Sequence, residues 1–154
     1  MNERNGRVAD ALRQAGIEPA IRILDSDVKT AAAAAEQLGC AVAAIANSLV
    51  FECDGDPLLV MSSGGHRVDT ARLATTLGAD VITKATPQRV LEATGQVIGG
   101  VAPTGHPSRL RTVVDQRLAD HPVIWAAAGT ADSVMPLTYA QLLAITGGLA
   151  LAVR

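Results

Sequence analysis

At 154 residues the chain is the size of one domain and long enough to bury a single sizeable core. Aromatic residues make up only 2%, with Phe51, Trp125 and Tyr139 the whole set, which excludes the run of stacking platforms used by sequence-tolerant single-strand binders. A formal net charge of −2 excludes a global basic field, so any nucleic-acid contact has to be local.

Val8, Leu12 and Ala15 recur at helical spacing, so a first helix is expected from Asn2 to Ala15, with Gly16 as its left-handed stop. Ala20 to Leu24 alternates like a strand. Thr30 is placed to N-cap an alanine-rich helix that ends at Leu38 with Gly39 behind it. Ser48 to Cys53 and Pro57 to Ser62 read as two strands of a hairpin turned at Asp54-Gly55-Asp56. Asp69 caps a helix through Leu77 that stops at Gly78, Val81 to Thr83 is a short strand, and Thr86-Pro87 opens a helix through Ala93. Gln96 to Ile98, Thr112 to Val114, Val123 to Ala127 and Leu149 to Val153 are strand-like, and a capped helix from Thr138 to Ile145 precedes Gly147-Gly148. Hairpins and short strands break any strict βαβ rhythm. The expected class is therefore α/β: a mixed, strongly curved sheet with flanking helices, in one domain spanning 1–154, with no repeat or linker to divide it.

Several chemistries find no support. There is no G-x-x-x-x-G-K-[ST], no G-x-G-x-x-G after a strand and no G-x-S-x-G elbow. Ser62 and Ser63 lie near His66 and Asp69, but they read as a loop before a helix cap rather than a triad. His66, His106 and His121 lack metal-ligand spacing, and Cys40 and Cys53 form neither a C-x-x-C pair nor a disulfide framework. No metal or cofactor is expected. With no signal-peptide pattern and no apolar stretch long enough to span a bilayer, a cytoplasmic protein without a membrane partner is expected.

The most informative stretch runs from Thr94 to His106 and carries Gly95, Gly99, Gly100, Gly105 and Pro103. Such density implies main chain held close to something. One reading is a tight crossover in which glycine permits packing. The other is a cleft where N–H groups meet a ligand oxygen.

Here the sequence resembles the YbaK/ProX family, the prolyl-tRNA-synthetase-associated editing domains. The residues that carry the likeness are Ala44-Ile45-Ala46-Asn47-Ser48-Leu49-Val50-Phe51, His66-Arg67-Val68-Asp69, Leu77-Gly78, Thr94-Gly95 and Gly99 to Gly105. It continues through Val113-Val114-Asp115, Ile124 to Gly129, Leu137-Thr138, Leu142-Leu143 and Thr146-Gly147, in order from about residue 28 to 150. The resemblance implies a mixed-sheet fold with a central cleft. It implies trans-acting hydrolysis of mischarged aminoacyl-tRNA, with small amino acids such as Cys, Ala or Ser on the substrate. It also implies that Gly99 to Gly105 lies against the aminoacyl ester. Family members usually carry a lysine where this chain has Asn47, and an amide donates only neutral hydrogen bonds in place of a charge. The only lysines are Lys29 and Lys84, and Lys84 reads as a surface residue.

From these residues a site is expected in which Gly99, Gly100 and Val101 offer main-chain N–H groups to the oxyanion while Asn47 orients the ester or terminal ribose. Ser48, His66, Pro103, Gly105 and His106 are candidate substrate contacts, and Arg109 and Arg111 are candidates for the phosphates of the acceptor end. Asp115 and Asp132 are the carboxylates considered as general bases, with capping or turn formation the competing role. The expected partner is the acceptor end of aminoacyl-tRNA, with a synthetase as a further partner. The alternative function is a non-catalytic module that binds aminoacyl-tRNA or a synthetase and has lost the lysine.

Overall fold

The computed structural model describes residues 2–25 and 30–154; Lys29 lies outside them. Among the described residues five helices, α1 (Glu3–Gln14), α2 (Ala31–Leu38), α3 (Thr70–Leu77), α4 (Pro87–Thr94) and α5 (Tyr139–Thr146), pack on one mixed sheet. Its strands are β1 (Arg22–Ile23), β2 (Ile45–Cys53), β3 (Asp56–Ser63), β4 (Ile82–Lys84), β5 (Arg111–Asp115), β6 (Ile124–Ala127), β7 (Ser133–Leu137) and β8 (Leu149–Leu151). The order across the sheet is β1-β7-β6-β2-β3-β5-β8, with β4 also paired to β2. The mixed, curved, helix-flanked sheet expected from the alternation of elements is thus the one observed.

Local signals place most boundaries. Asn2 caps α1 and exchanges bonds with Asn5 in a capping box, while Thr30, Asp69, Thr86 and Thr138 each accept an N–H in the first turn of the next helix. The β2–β3 hairpin turns on Asp54 and Gly55, both at positive φ, the two-residue geometry that matches strand twist. Asp54 also accepts from Val81 N and Asp80 N, which holds its carboxyl below the usual range and ties β4 to the hairpin. Leu58, Leu59, Val60 and Met61 are fully buried, because β3 is covered on both faces.

Two expectations are corrected. Gln96 to Ile98 is not a strand: Gly95 ends α4 in the left-handed conformation, and Gly100 N donates to Val97 O at 2.9 Å, so the segment turns instead of extending. In contrast, Ser133–Leu137 is a strand that the sequence reading does not include, and it carries Pro136, a residue unusual inside a sheet. Ala128 N donates to Ser133 O, an alternation that aims the nitrogen of Pro136 outward, past the point where β1 ends opposite Val134. Nothing there needs the missing N–H.

The sheet forks at β2. β6 pairs only with Ile45 and Ala46, and β4 only with Phe51 to Cys53, both on the edge away from β3. Ala85 N reaches Val50 O, which leaves the stretch around Ser48 as open edge between two diverging strands. One face carries Ala46, Val50, Leu59, Met61 and Val114 against α1, α4, α5 and the glycine loop, as Val8, Val90, Leu142, Val101 and Ala102 share that core. The other face carries Phe51, Leu58, Val60 and Val113 against α3, and Ile45 and Trp125 against α2. Arg22 stacks on Trp125 at 5.6 Å.

Candidate functional site

Gln96 is buried and organises the glycine loop. Its Oε1 accepts from Ala102 N at 2.8 Å and its Nε2 donates to Thr104 O at 3.3 Å, so one side chain spans the loop. Thr94 Oγ1 accepts from Gln96 N, and His106 Nε2 lies 2.7 Å from Ala102 O and donates to it. That bond fixes the imidazole as the Nε2–H donor. Burial pushes the His106 pKa below its ordinary value, opposed by the bond to Ala102.

The sign of the resulting linkage is definite. Because the folded-state pKa of His106 is depressed, its contribution to stability is complete above the unfolded value near 6.5 and is lost as pH falls through the lower folded value. In wild type, unfolding titrations at successive pH values should show stability declining below about pH 6.5, and His106→Gln should remove that component of the decline. An unchanged profile in the variant would assign the decline to other groups.

The loop's amides are unequal. Gly100 N is spent on Val97 O and Ala102 N on Gln96, whereas Gly99 N and Val101 N have no acceptor among the described residues. Val101 is 2% exposed, and a buried amide without a partner is rare in folded proteins. Gly99, at φ 88°, adopts a conformation that only glycine enters freely. Of the three amides expected as donors, Gly100 N is therefore already bonded, whereas Gly99 N and Val101 N are without an acceptor among the described residues.

Behind the loop lies the turn from Ala128 to Asp132. A Cβ on Gly100 would stand 2.6 Å from Thr130 C and 2.8 Å from Ala131 N, so the two main chains touch. Close packing and a free donor pair coexist in the same loop; the two readings of its glycines are not exclusive. Pro103 is buried, and Gly105 rests against Val8 of α1.

Strand alternation separates neighbours in sequence. Ser48 shares the face of Ala46 and Val50 with the loop, and its Oγ donates to Met61 Sδ at 3.2 Å. Asn47 projects to the opposite face, opposite Ser62, half-buried and with no side-chain hydrogen bond among the described residues. His66 is held by Asp115. The Asp115 carboxylate is fully buried: Oδ2 accepts from Ser63 N at 2.9 Å and meets His66 Nε2 at 2.5 Å, while Oδ1 caps the following 3-10 turn through Arg117 N. Ser63 Oγ donates to Ala43 O, so no serine faces the imidazole of His66 through that group. Asp132 stays in the backing turn, with Oδ1 at 2.8 Å from Thr130 Oγ1.

Arg109 and Arg111 line an open cleft of about 360 Å³ with Leu77, Thr146, Gly147 and Leu149. No carboxylate is among the described residues lining it, and neither arginine forms a salt bridge among the described residues. The guanidinium of Arg109 covers Gly147 at the C-terminal end of α5, where a cation is favoured. Lys84 is exposed on a second open pocket that it shares with the Glu52–Arg89 ion pair, 2.9 Å apart. Among the described residues no three His, Cys, Asp or Glu side chains converge as a metal site, and no helix is long and apolar enough to cross a membrane.

Sequence reasoning missed two side chains, Gln96 and Asn5, and one pairing, that of His66 with Asp115. Gln96 had a legible signal, a polar residue at the head of an apolar run. Asn5 had one too, since it lies on the same helical stripe as Val8 and Leu12. The His66–Asp115 pair had none, being 49 residues apart in the chain.

Comparison with known proteins adds an independent line. Residues 25–145 match the family model described as the aminoacyl-tRNA editing domain. The chain is 33% identical over 110 residues to the uncharacterized protein YwhH of Bacillus subtilis, covering 71% of this chain and 69% of that protein. It is 29% identical over 99 residues to the proline–tRNA ligase of Levilactobacillus brevis, covering 64% of this chain but only 17% of the ligase. A solved structure described as that of a candidate trans-editing enzyme for prolyl tRNA synthetase superposes with a TM-score of 0.92 at 34% identity, covering 100% of this chain and 98% of that one.

Proposed function

The chain belongs to the aminoacyl-tRNA editing domain family, and from that membership we propose that it is a trans-acting deacylase that hydrolyses the ester of tRNA mischarged with a small amino acid such as Cys, Ala or Ser. The observation that carries the reading is the pair of amides at Gly99 and Val101 without acceptors among the described residues, in a loop held in place by Gln96 and His106.

An aminoacyl ester is already activated, so modest means suffice. Water attacks the carbonyl carbon, and the new oxyanion accepts from Gly99 N–H and Val101 N–H. The bond from carbon to the ribose oxygen then breaks. The proton of the attacking water goes to the substrate's own amino or vicinal hydroxyl group, and the leaving ribose oxygen takes one up. A preorganised main-chain donor is worth about 2.7–4 kcal/mol in acyl transfer, so two supply much of what a labile ester requires. Arg109 and Arg111, free of carboxylate partners in their cleft, are assigned to phosphates of the acceptor end.

A second reading, a binding module without catalysis, is favoured by Asn47, which is uncharged and lies on the sheet face away from the loop. One experiment separates the two. Purified protein is incubated with a panel of mischarged tRNAs and release of the amino acid is followed. Turnover above background on at least one small-residue substrate is expected. If none is hydrolysed and Asn47→Lys creates activity, the binding module is the better description of this chain.

A further inference from the structure

Helix α1 precedes the region matched by the family model, which begins at residue 25, yet it touches both walls of the candidate site. Asn5 is 1% exposed and every polar atom of its side chain is used. Its Nδ2 donates to Ala128 O at 2.8 Å and to Ser133 Oγ at 3.0 Å, and its Oδ1 accepts from Asn2 N at 3.1 Å. Ser133 Oγ in turn accepts from Thr130 N at 3.2 Å, so Asn5 grips both arms of the turn that backs the glycine loop.

Two more contacts make the grip close. A Cβ on Gly129 would stand 2.9 Å from Arg4 O, and one on Gly105 would stand 3.1 Å from Val8 Cγ2, so α1 lies directly on the main chain of the turn and of the loop. The turn then bears on Gly100, whose neighbours carry the free amides. A chain of contacts runs from Asn5 through Thr130 to Gly99 and Val101. It is built from main-chain contacts and paired hydrogen bonds, with no long flexible side chain in between.

We propose that α1 is the clamp that holds the donor pair of the glycine loop in register, with Asn5 as the positioning residue. This rests on the deacylase reading for its catalytic consequence, but the clamp itself has a readout that needs no turnover. Asn5→Ala releases the turn while leaving the loop's own residues untouched. Leu73→Ala, in α3 on the opposite sheet face, serves as a control that removes a fully buried side chain elsewhere.

The test is amide hydrogen exchange followed by mass spectrometry, with deacylation kinetics measured on the same samples well below the melting temperature. In Asn5→Ala, exchange in peptides covering 97–105 and 128–134 should rise about tenfold while the β2–β3 hairpin is unchanged. The kinetic signature is kcat down about tenfold with KM for the charged tRNA held, since the substrate's remote contacts are intact. In Leu73→Ala the melting temperature should fall without either change. Unchanged exchange at the loop, an equal rise in Leu73→Ala, or a KM effect in place of a kcat effect overturns the clamp. Should wild type show no turnover, the deacylase reading fails, and the exchange result alone decides the clamp.

Discussion

Gly100→Val is expected to lower deacylation by at least about a hundredfold while the protein remains folded, the largest effect on turnover of any single change considered. The reason is steric and main-chain. Already the first added carbon would stand 2.6 Å from Thr130 C and 2.7 Å from Thr130 Cα, and backbone atoms cannot swing aside as a side-chain tip does. Loop and turn must separate, which displaces the amides of Gly99 and Val101 from the position that an oxyanion would occupy. Overpacking of this kind costs about 1–3 kcal/mol, so circular dichroism and a melting curve should still report a folded protein. Steady-state deacylation of the substrate identified by the tRNA panel is the measurement, and turnover equal to wild type would remove this loop from the chemistry.

Asp115→Ala is expected to have the largest effect on stability, about 3–5 kcal/mol, with turnover at 25 °C staying near the wild-type value. Three groups rely on that carboxylate, namely Ser63 N, Arg117 N and His66 Nε2, and two of them are main-chain donors with nowhere else to turn. An amide left without an acceptor costs about 1–3 kcal/mol by itself. His66→Ala should cost less, because the imidazole side chain keeps 24% exposure and the two main-chain bonds to Asp115 survive. Urea titrations of both variants give the comparison. A folded Asp115→Ala protein with turnover abolished would instead make this carboxylate the general base and defeat the structural role assigned to it.

Much of the architecture was legible in the chain because it depends on neighbours a few residues apart. A cap needs a hydroxyl or carboxylate three residues before an amide, and Thr30, Asp69, Thr86 and Thr138 each stand where that geometry puts them. The hairpin turn needs two residues that tolerate positive φ, and Asp54-Gly55 supplies them. The strand absent from the sequence reading, Ser133–Leu137, depends on position in the sheet. Pro136 discourages a strand only if its nitrogen faces a partner, and whether it does depends on how far β1 extends.

The candidate site divides along the same line. The glycine loop announces itself by composition, and the succession of motifs from the strand around Asn47 to Gly147 was enough to point to the editing family. Composition does not say which amides are free. Gly100 N is bonded and its neighbours are not because Val97 and Gln96 fold back onto the loop, an arrangement set by the turn after α4. Nor does adjacency in sequence say which side chains meet: Asn47 and Ser48 sit side by side in the chain yet face opposite layers, since a strand alternates with every residue. Order, capping and motif succession are one-dimensional properties and were readable as such. The pairing of His66 with Asp115, the fork at β2 and the contact of α1 with the loop arise from segments far apart in sequence that only the folded sheet brings together.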